Sequence, residues 1–193
     1  MARELIYTAE IGIKGTFPML MHKCGTMEKK VQNATTDYSE EWVNTVYLGM
    51  QEKIVVYPSM NIDAMFKTAA KGQKIGKNFM TKIVPTGIVV NEFEIPVLDP
   101  NGGKITIDDI RNNEWTFTCQ AIVNKSRINR TRAMFPVGWM MNWTISVYSP
   151  LLKPEIIKDL MERAGYEVGI GDWRPAKSGK FGQFELYKFN ALS

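Results

Sequence analysis

The stretch Pro154-Glu155-Ile156-Ile157-Lys158-Asp159-Leu160-Met161-Glu162-Arg163-Ala164, with Gly169-Ile170-Gly171-Asp172-Trp173-Arg174-Pro175 and Lys177-Ser178-Gly179-Lys180-Phe181-Gly182-Gln183-Phe184 behind it, decides how the chain is read. The first part is a helix: Pro154 sits in the first turn, where a missing N–H costs nothing. Gly165 is the expected C-cap. The part from Phe181 to Phe189 alternates as a final strand. Between them lies a loop that combines glycines with Arg174, Lys177 and Lys180 and with the rings of Trp173 and Phe181. Positive charge beside stacking faces suits an anionic polymer with exposed bases. The Gly169-Ile170-Gly171 pair also resembles part of a dinucleotide fingerprint. Its context is wrong, because that fingerprint follows a strand and opens a helix. Here a helix precedes and a strand follows, and no GKS/T motif occurs in the chain.

Working outward, Leu5 to Lys14 alternates as a first strand, and Lys53 to Tyr57 is a short one. Pro58-Ser59 opens a helix from about Met60 to Lys71. In it Ile62, Met65, Phe66 and Ala69 share one face, and Lys67 and Lys71 fall i, i+4 on another. Ser39 to Met50 has a capping serine and acids in its first turn, which predicts a further helix. Ile83–Val90, Phe93–Val97, Trp115–Val123 and Trp139–Tyr148 read as strands. Asp99-Pro100-Asn101-Gly102-Gly103 is a hairpin turn, and Asp108-Asp109 marks a helix start. Lys125 to Phe135 is basic and lacks core periodicity. The order predicts an α+β fold, a modified ferredoxin-like β-α-β-β-α-β core with inserted hairpins and loops. All 193 residues are read as a single domain. An inserted loop spans about 22–52, and a second inserted hairpin region spans about 91–138.

The formal charge is only +4, but its distribution is uneven. Lys67, Lys71, Lys74, Lys77 and Lys82 share a stretch without an acid, and Lys125, Arg127, Arg130 and Arg132 share another. The acids gather at Glu92, Glu94, Asp99, Asp108, Asp109 and Glu114. Such segregation predicts a basic face that meets phosphate backbone. Arginine forks suit phosphate oxygens, and contacts of this kind position a protein without reading sequence.

His22 is the only histidine. A two-histidine metal site and a histidine-pair nuclease are thereby excluded. His22 beside Lys23 is left either as a phosphate contact or as a lone general base in a small endoribonuclease. Asp37 is an ordinary loop aspartate ahead of a helix, or an acid in a cleaving loop. The two cysteines, Cys24 and Cys119, form no CxxC pattern and point to a reduced intracellular protein. No apolar run approaches the length of a membrane span, so no membrane partner is expected, and the location expected is cytoplasmic. No metal or other cofactor is expected.

Three segments, Tyr57-Pro58-Ser59-Met60-Asn61-Ile62-Asp63-Ala64-Met65-Phe66-Lys67, Ile128-Asn129-Arg130-Thr131-Arg132 with Phe135-Pro136, and Gly169-Ile170-Gly171 through Phe184, together resemble the repeat-associated mysterious protein (RAMP) superfamily. Within it the chain is most similar to the CRISPR effector backbone subunits that coat guide RNA. The resemblance implies an RNA-recognition-motif-like core with finger and thumb insertions. It implies head-to-tail packing of copies along one RNA, with other effector subunits as partners and the target strand as a further one. It implies RNA-facing roles for Lys67, Arg130, Arg132, Gly169, Gly171, Lys180 and Gly182. The charge and loop chemistry add His22, Lys23, Lys71, Lys74, Lys77, Lys125, Arg127, Trp173, Arg174, Lys177 and Phe181. The reading that follows is a non-catalytic RNA-binding subunit. The alternatives are a single-stranded nucleic-acid-binding or CRISPR-interfering protein of a mobile element, and an endoribonuclease that uses His22.

Overall fold

In a computed structural model the chain is described over residues 3–23, 40–50, 53–123 and 126–192, without side chains for 121–128. In chain order the elements are β1 (Tyr7–Gly15), β2 (Met19–Met21), β3 (Val56–Pro58), α1 (Ser59–Ala69), β4 (Lys74–Ile75), β5 (Asn78–Phe79), α2 (Met80–Gly87) and β6 (Ile88–Val90). Then follow β7 (Glu94–Pro96), α3 (Ile107–Asn112), β8 (Thr116–Val123), β9 (Ser126–Phe135), β10 (Met140–Val147), α4 (Pro154–Arg163) and β11 (Phe184–Leu192).

The central sheet has the order β11-β1-β10-β6, and each neighbouring pair is antiparallel. β1 and β6 are both antiparallel to β10, so they run parallel to each other with β10 between them. α1 lies between β1 and β6 in the chain, and α4 lies between β10 and β11. This is the split β-α-β arrangement of a ferredoxin-like core, as the order of predicted elements implied. Everything else is inserted into it.

Alternation on β1 and β10 sends Ala9, Ile11, Ile13, Met141, Trp143, Ile145 and Val147 to one face, all buried. They join one apolar cluster with Ile62, Met65, Phe66 and Ala69 of α1 and Ile157, Leu160 and Met161 of α4. The helix spacings of three and four residues bury a stripe on each helix. Each fully buried aliphatic side chain contributes about 1.5–3 kcal/mol. α1 starts where Pro58 holds an extended conformation (φ −65°, ψ 135°), with φ fixed by its ring. No helix among the described residues is long and apolar enough to cross a membrane.

Several expectations are corrected. Residues 126–135, read as an aperiodic basic segment, form strand β9, which pairs with β8 from Thr116↔Ala133 to Val123↔Ser126 and with β2 at Leu20↔Met134. Arg130 and Arg132 are paired with carboxylates far away in the chain, and this masks the alternation. Residues 83–90, read as a strand, begin as helix α2, because Met80, Val84 and Gly87 bury at helical spacing. The helix predicted from Ser39 to Met50 shrinks to a 3₁₀ turn at Glu41–Thr45, and Leu48 leaves it to bridge Val55. Gly165 is not the cap of α4. The chain continues through a π turn (Ala164–Val168) to Gly169, which takes φ +64°. Gly165 instead makes room for Phe184, whose carbonyl oxygen would lie 2.1 Å from an added Cβ. The last strand starts at Phe184, not Phe181.

Two local expectations hold. The Asp99 carboxylate accepts from the amides of Asn101 and Gly103 at 2.7 and 2.9 Å. Thr106 and Asp109 form a capping box on α3. The inserted loop of 22–52 lies in part outside the described residues, with Cys24, Asp37 and Ser39 among those not described. The region 91–138 holds β7, α3 and the β8–β9 hairpin.

Candidate nucleic-acid interface

The glycine-rich loop is a tightly folded structure stitched to β2. The amide of Asp172 donates to Leu20 O at 2.8 Å, and that of Gly182 donates to Pro18 O at 2.7 Å. Within the loop, Ile170 donates to Gly182 O, Gly179 to Arg174 O and Phe181 to Trp173 O. The Gly171 amide donates to Tyr57 Oη at 2.8 Å, and Arg174 donates to Gly171 O at 2.9 Å. The glycines serve this self-packing. An added Cβ on Gly171 (φ +77°) would lie 2.3 Å from Leu20 O, and one on Gly182 (φ +68°) would lie 1.8 Å from Ile170 O. Glycines in such a loop serve either close approach to a ligand or a turn-rich connection that needs only their backbone freedom. In the structure the room beside them is filled by the protein's own backbone. Gly169 and Gly182 are buried.

The β8–β9 hairpin is clamped onto this loop. Arg132, 8% exposed, places Nε 2.6 Å from Asp172 Oδ2, an ion contact without hydrogen-bond alignment. Its guanidinium also lies 5.5 Å from the Trp173 ring centre. Phe117 of β8 meets Phe181 and Trp173 at centroid distances of 5.4 and 6.2 Å, and the two loop rings are 6.4 Å apart. Trp173 holds a left-handed backbone (φ +47°), uncommon for a bulky residue. Arg130 forms an ion pair with Glu41, and the same carboxylate accepts from the Thr131 amide at 3.1 Å. The expectation that Arg130 and Arg132 face RNA is therefore revised: both guanidiniums are engaged by carboxylates, and Arg132 points inward. The β8–β9 pairing and these contacts make the arginine segment a brace for the hairpin. The side chains of Lys125 and Arg127 lie outside the described residues.

The exposed charge lies elsewhere. Lys67 is exposed on α1, Lys71 in the turn that follows it, Lys74 and Lys77 on the β4–β5 hairpin, and Lys177 and Lys180 on the loop. Lys74 Nζ sits 4.4 Å from the Phe79 ring centre. None of these lysines has a carboxylate partner among the described residues. On the sheet face away from the helices, by contrast, Lys188 is held by Glu10 at 2.9 Å.

β2 is followed by His22 and Lys23, both exposed. His22 Nδ1 is 3.7 Å from Asp172 Oδ2, too far for a hydrogen bond. That same oxygen already meets Arg132. Lys23 Nζ lies 5.9 Å from the Tyr47 ring centre. No group of three metal-ligating side chains occurs among the described residues. Between α1 and the loop lies a cavity of about 180 Å³, lined by His22, Tyr57, Asn61, Met65, Gly171 and Arg174, among others. Burial pushes the Tyr57 hydroxyl pKa up to about 12, so it remains protonated at neutral pH. Sequence reasoning missed Tyr57, Asn61, Phe117 and Glu41. The first two were in view beside Pro58-Ser59, and an aromatic hydroxyl in a strand of buried residues was the available signal.

No family model matches the chain, and no curated protein matches it. A solved structure does. The chain resembles, at 11% identity and a TM-score of 0.59, a chain of the "Cryo-EM structure of the Type III-B Cmr-beta bound to cognate target RNA". The alignment covers 97% of this chain and 61% of that one. The likeness is one of fold. This chain therefore spans about three fifths of its neighbour's length, and nearly all of it takes part in the shared architecture.

Proposed function

We propose that this protein is a non-catalytic RNA-binding backbone subunit of a CRISPR-type ribonucleoprotein of the RAMP superfamily. It grips the guide-RNA backbone in the cytoplasm and packs head-to-tail with copies of itself beside other effector subunits. The observation that carries this reading is the contrast in charge pairing. The described arginines of the β8–β9 hairpin are engaged by carboxylates, whereas Lys67, Lys71, Lys77, Lys177 and Lys180 stand exposed without an acid partner among the described residues. Exposed lysines on a fold shared with a chain from a target-RNA-bound structure suit phosphate contacts that hold a strand without reading it. The braced hairpin supplies a rigid edge beside that strand. Heterologous contacts between copies generate open arrays.

The test is the nucleic acid that copurifies with the protein, its type and length, together with imaging of the particle. A regular filament that protects RNA is the expected result. Discrete nucleic-acid-free dimers would overturn the backbone role.

A further inference from the structure

We infer that two copies of this chain meet through the β4–β5 hairpin of one and the groove between α1 and α2 of the next, with Phe79 as the knob. This inference rests on the self-packing in the reading above and deepens it by naming the two surfaces that meet.

The hairpin is a knob that carries a cation. Lys74 pairs with Phe79 and Ile75 with Asn78, and the Met80 amide closes the base on Gln73 O at 3.0 Å. Phe79 is 48% exposed, and Lys74 Nζ lies 4.4 Å from its ring centre. Nothing lies within 4 Å of a Cβ added to Gly76 at the tip, so the tip stands clear of the rest of the molecule. A ring held half in solvent at such a place has apolar area left to bury.

The groove is its counterpart. It encloses about 330 Å³, with an apolar lining from Phe66, Val84, Pro85, Ile88 and Val89 and with Asp63 and Lys67 on its α1 side. Beyond Asp63, Met60 and Phe93 are 75% and 87% exposed. The Phe93 carbonyl accepts the Ser59 amide at 3.0 Å, which sets both side chains at the start of α1. Neighbouring large apolar groups in solvent mark a protein contact. Asp63 and Glu94 are exposed beside them without a cation partner among the described residues. Partial burial pushes the Asp63 carboxyl pKa up, and an incoming ammonium offsets that cost.

Charge and geometry choose the occupant. The knob brings a cation and the groove offers two acids, so the two surfaces attract. A nucleic-acid strand is repelled by the same acids. The hairpin follows the last turn of α1, whereas Met60 and Phe93 lie at its first. That helix has 11 residues and is therefore about 16 Å long. Strands of two residues extend only about 7 Å, so the knob cannot fold back onto its own groove rim. The contact is heterologous and repeats from copy to copy. Lys74 serves it, and the other exposed lysines remain for the strand.

The test is sedimentation of the RNA-free protein, and of the protein on a long oligo(U), for wild type, Phe79→Ser and Val89→Trp. Wild type is expected to form chains that lengthen with concentration. Phe79→Ser removes the knob and Val89→Trp fills the groove. Each is expected to weaken self-association at least about tenfold. An equimolar mixture of the two variants is expected to form one-to-one pairs that grow no further, because each copy keeps one intact surface. Wild type that stays monomeric with and without RNA overturns the contact. Chains that neither substitution weakens, or a mixture that forms no pairs, overturn it as well. Copies that bind RNA but do not associate leave the RNA-binding reading standing and remove the contact. Copies that associate but have no affinity for RNA support the contact and overturn that reading. Carbodiimide cross-linking of mixed isotopically light and heavy wild type guards against a variant that fails to fold. A link from Lys74 to Asp63 or Glu94 between light and heavy copies is expected, and the absence of such links contradicts the assignment.

Discussion

Arg132 Nε and Asp172 Oδ2 lie 2.6 Å apart, and through this contact the β8–β9 hairpin and the glycine-rich loop are held as one unit. The two residues are 40 positions apart in the sequence, Arg132 on β9 and Asp172 in the connection from α4 to β11. Beside the pair, the Phe117, Trp173 and Phe181 rings close the same seam. The hairpin thus enters any nucleic-acid contact already oriented.

Removing one partner leaves a charge in a largely buried setting. Breaking a buried pair costs about 3–5 kcal/mol. Asp172 keeps 24% of its side chain exposed, so solvent screening lowers the expectation to about 2 kcal/mol for Asp172→Ala. The Arg132→Met, Asp172→Leu double variant is expected to recover most of that loss. Chemical denaturation of the singles and the double measures it through the double-mutant cycle.

How far the sequence reveals this seam depends on the kind of signal. The core was legible, because Ile62-Met65-Phe66-Ala69 and the alternation of β1 and β10 declare which faces bury. The α3 capping box and the Asp99 turn were legible for the same local reason. Strand β9 was not: Arg127, Arg130 and Arg132 at alternating and near-alternating positions look like surface charge when the carboxylates that receive two of them, Glu41 and Asp172, are distant in the chain. The role of the loop glycines was half legible. Their positive φ follows from residue type, but the partner of the close approach, Leu20 O or Ile170 O, is a tertiary fact.

The glycines supply a second expectation. Gly182→Ala forces a Cβ to within 1.8 Å of Ile170 O in a left-handed conformation and should cost at least about 2 kcal/mol. Gly72→Ala also carries a positive φ (+75°), but nothing lies within 4 Å of its Cβ. It should cost about 1 kcal/mol. Thermal melts of the two variants compare backbone strain alone with strain plus collision.

Alkaline titration provides a third. Burial raises the hydroxyl pKa values of Tyr57 and Tyr7 from 10.0 to about 12, so the folded state favours the neutral phenols. That contribution is fully present below pH 10, the unfolded value, and is lost as pH rises toward about 12. Denaturant midpoints across this window should fall, and Tyr57→Phe should flatten the fall. An unchanged slope in the variant would show that Tyr57 does not carry the effect.

His22 supplies a fourth. It lacks a hydrogen bond to Asp172, and a general base needs a positioned partner. Labelled RNA incubated with the wild type should remain intact, with no difference for His22→Ala. Defined products that disappear on substitution would favour the endoribonuclease.

The central claim is that exposed lysines without a carboxylate partner among the described residues hold a single strand, and the salt dependence of RNA affinity tests it most directly. Five phosphate contacts from Lys67, Lys71, Lys77, Lys177 and Lys180 give a slope of log Kobs against log[salt] of about −3 to −4 for single-stranded RNA. Each lysine changed to alanine should make that slope shallower by somewhat under one. Affinity that stays level as salt rises, or a slope indifferent to loss of all five lysines, would contradict the account.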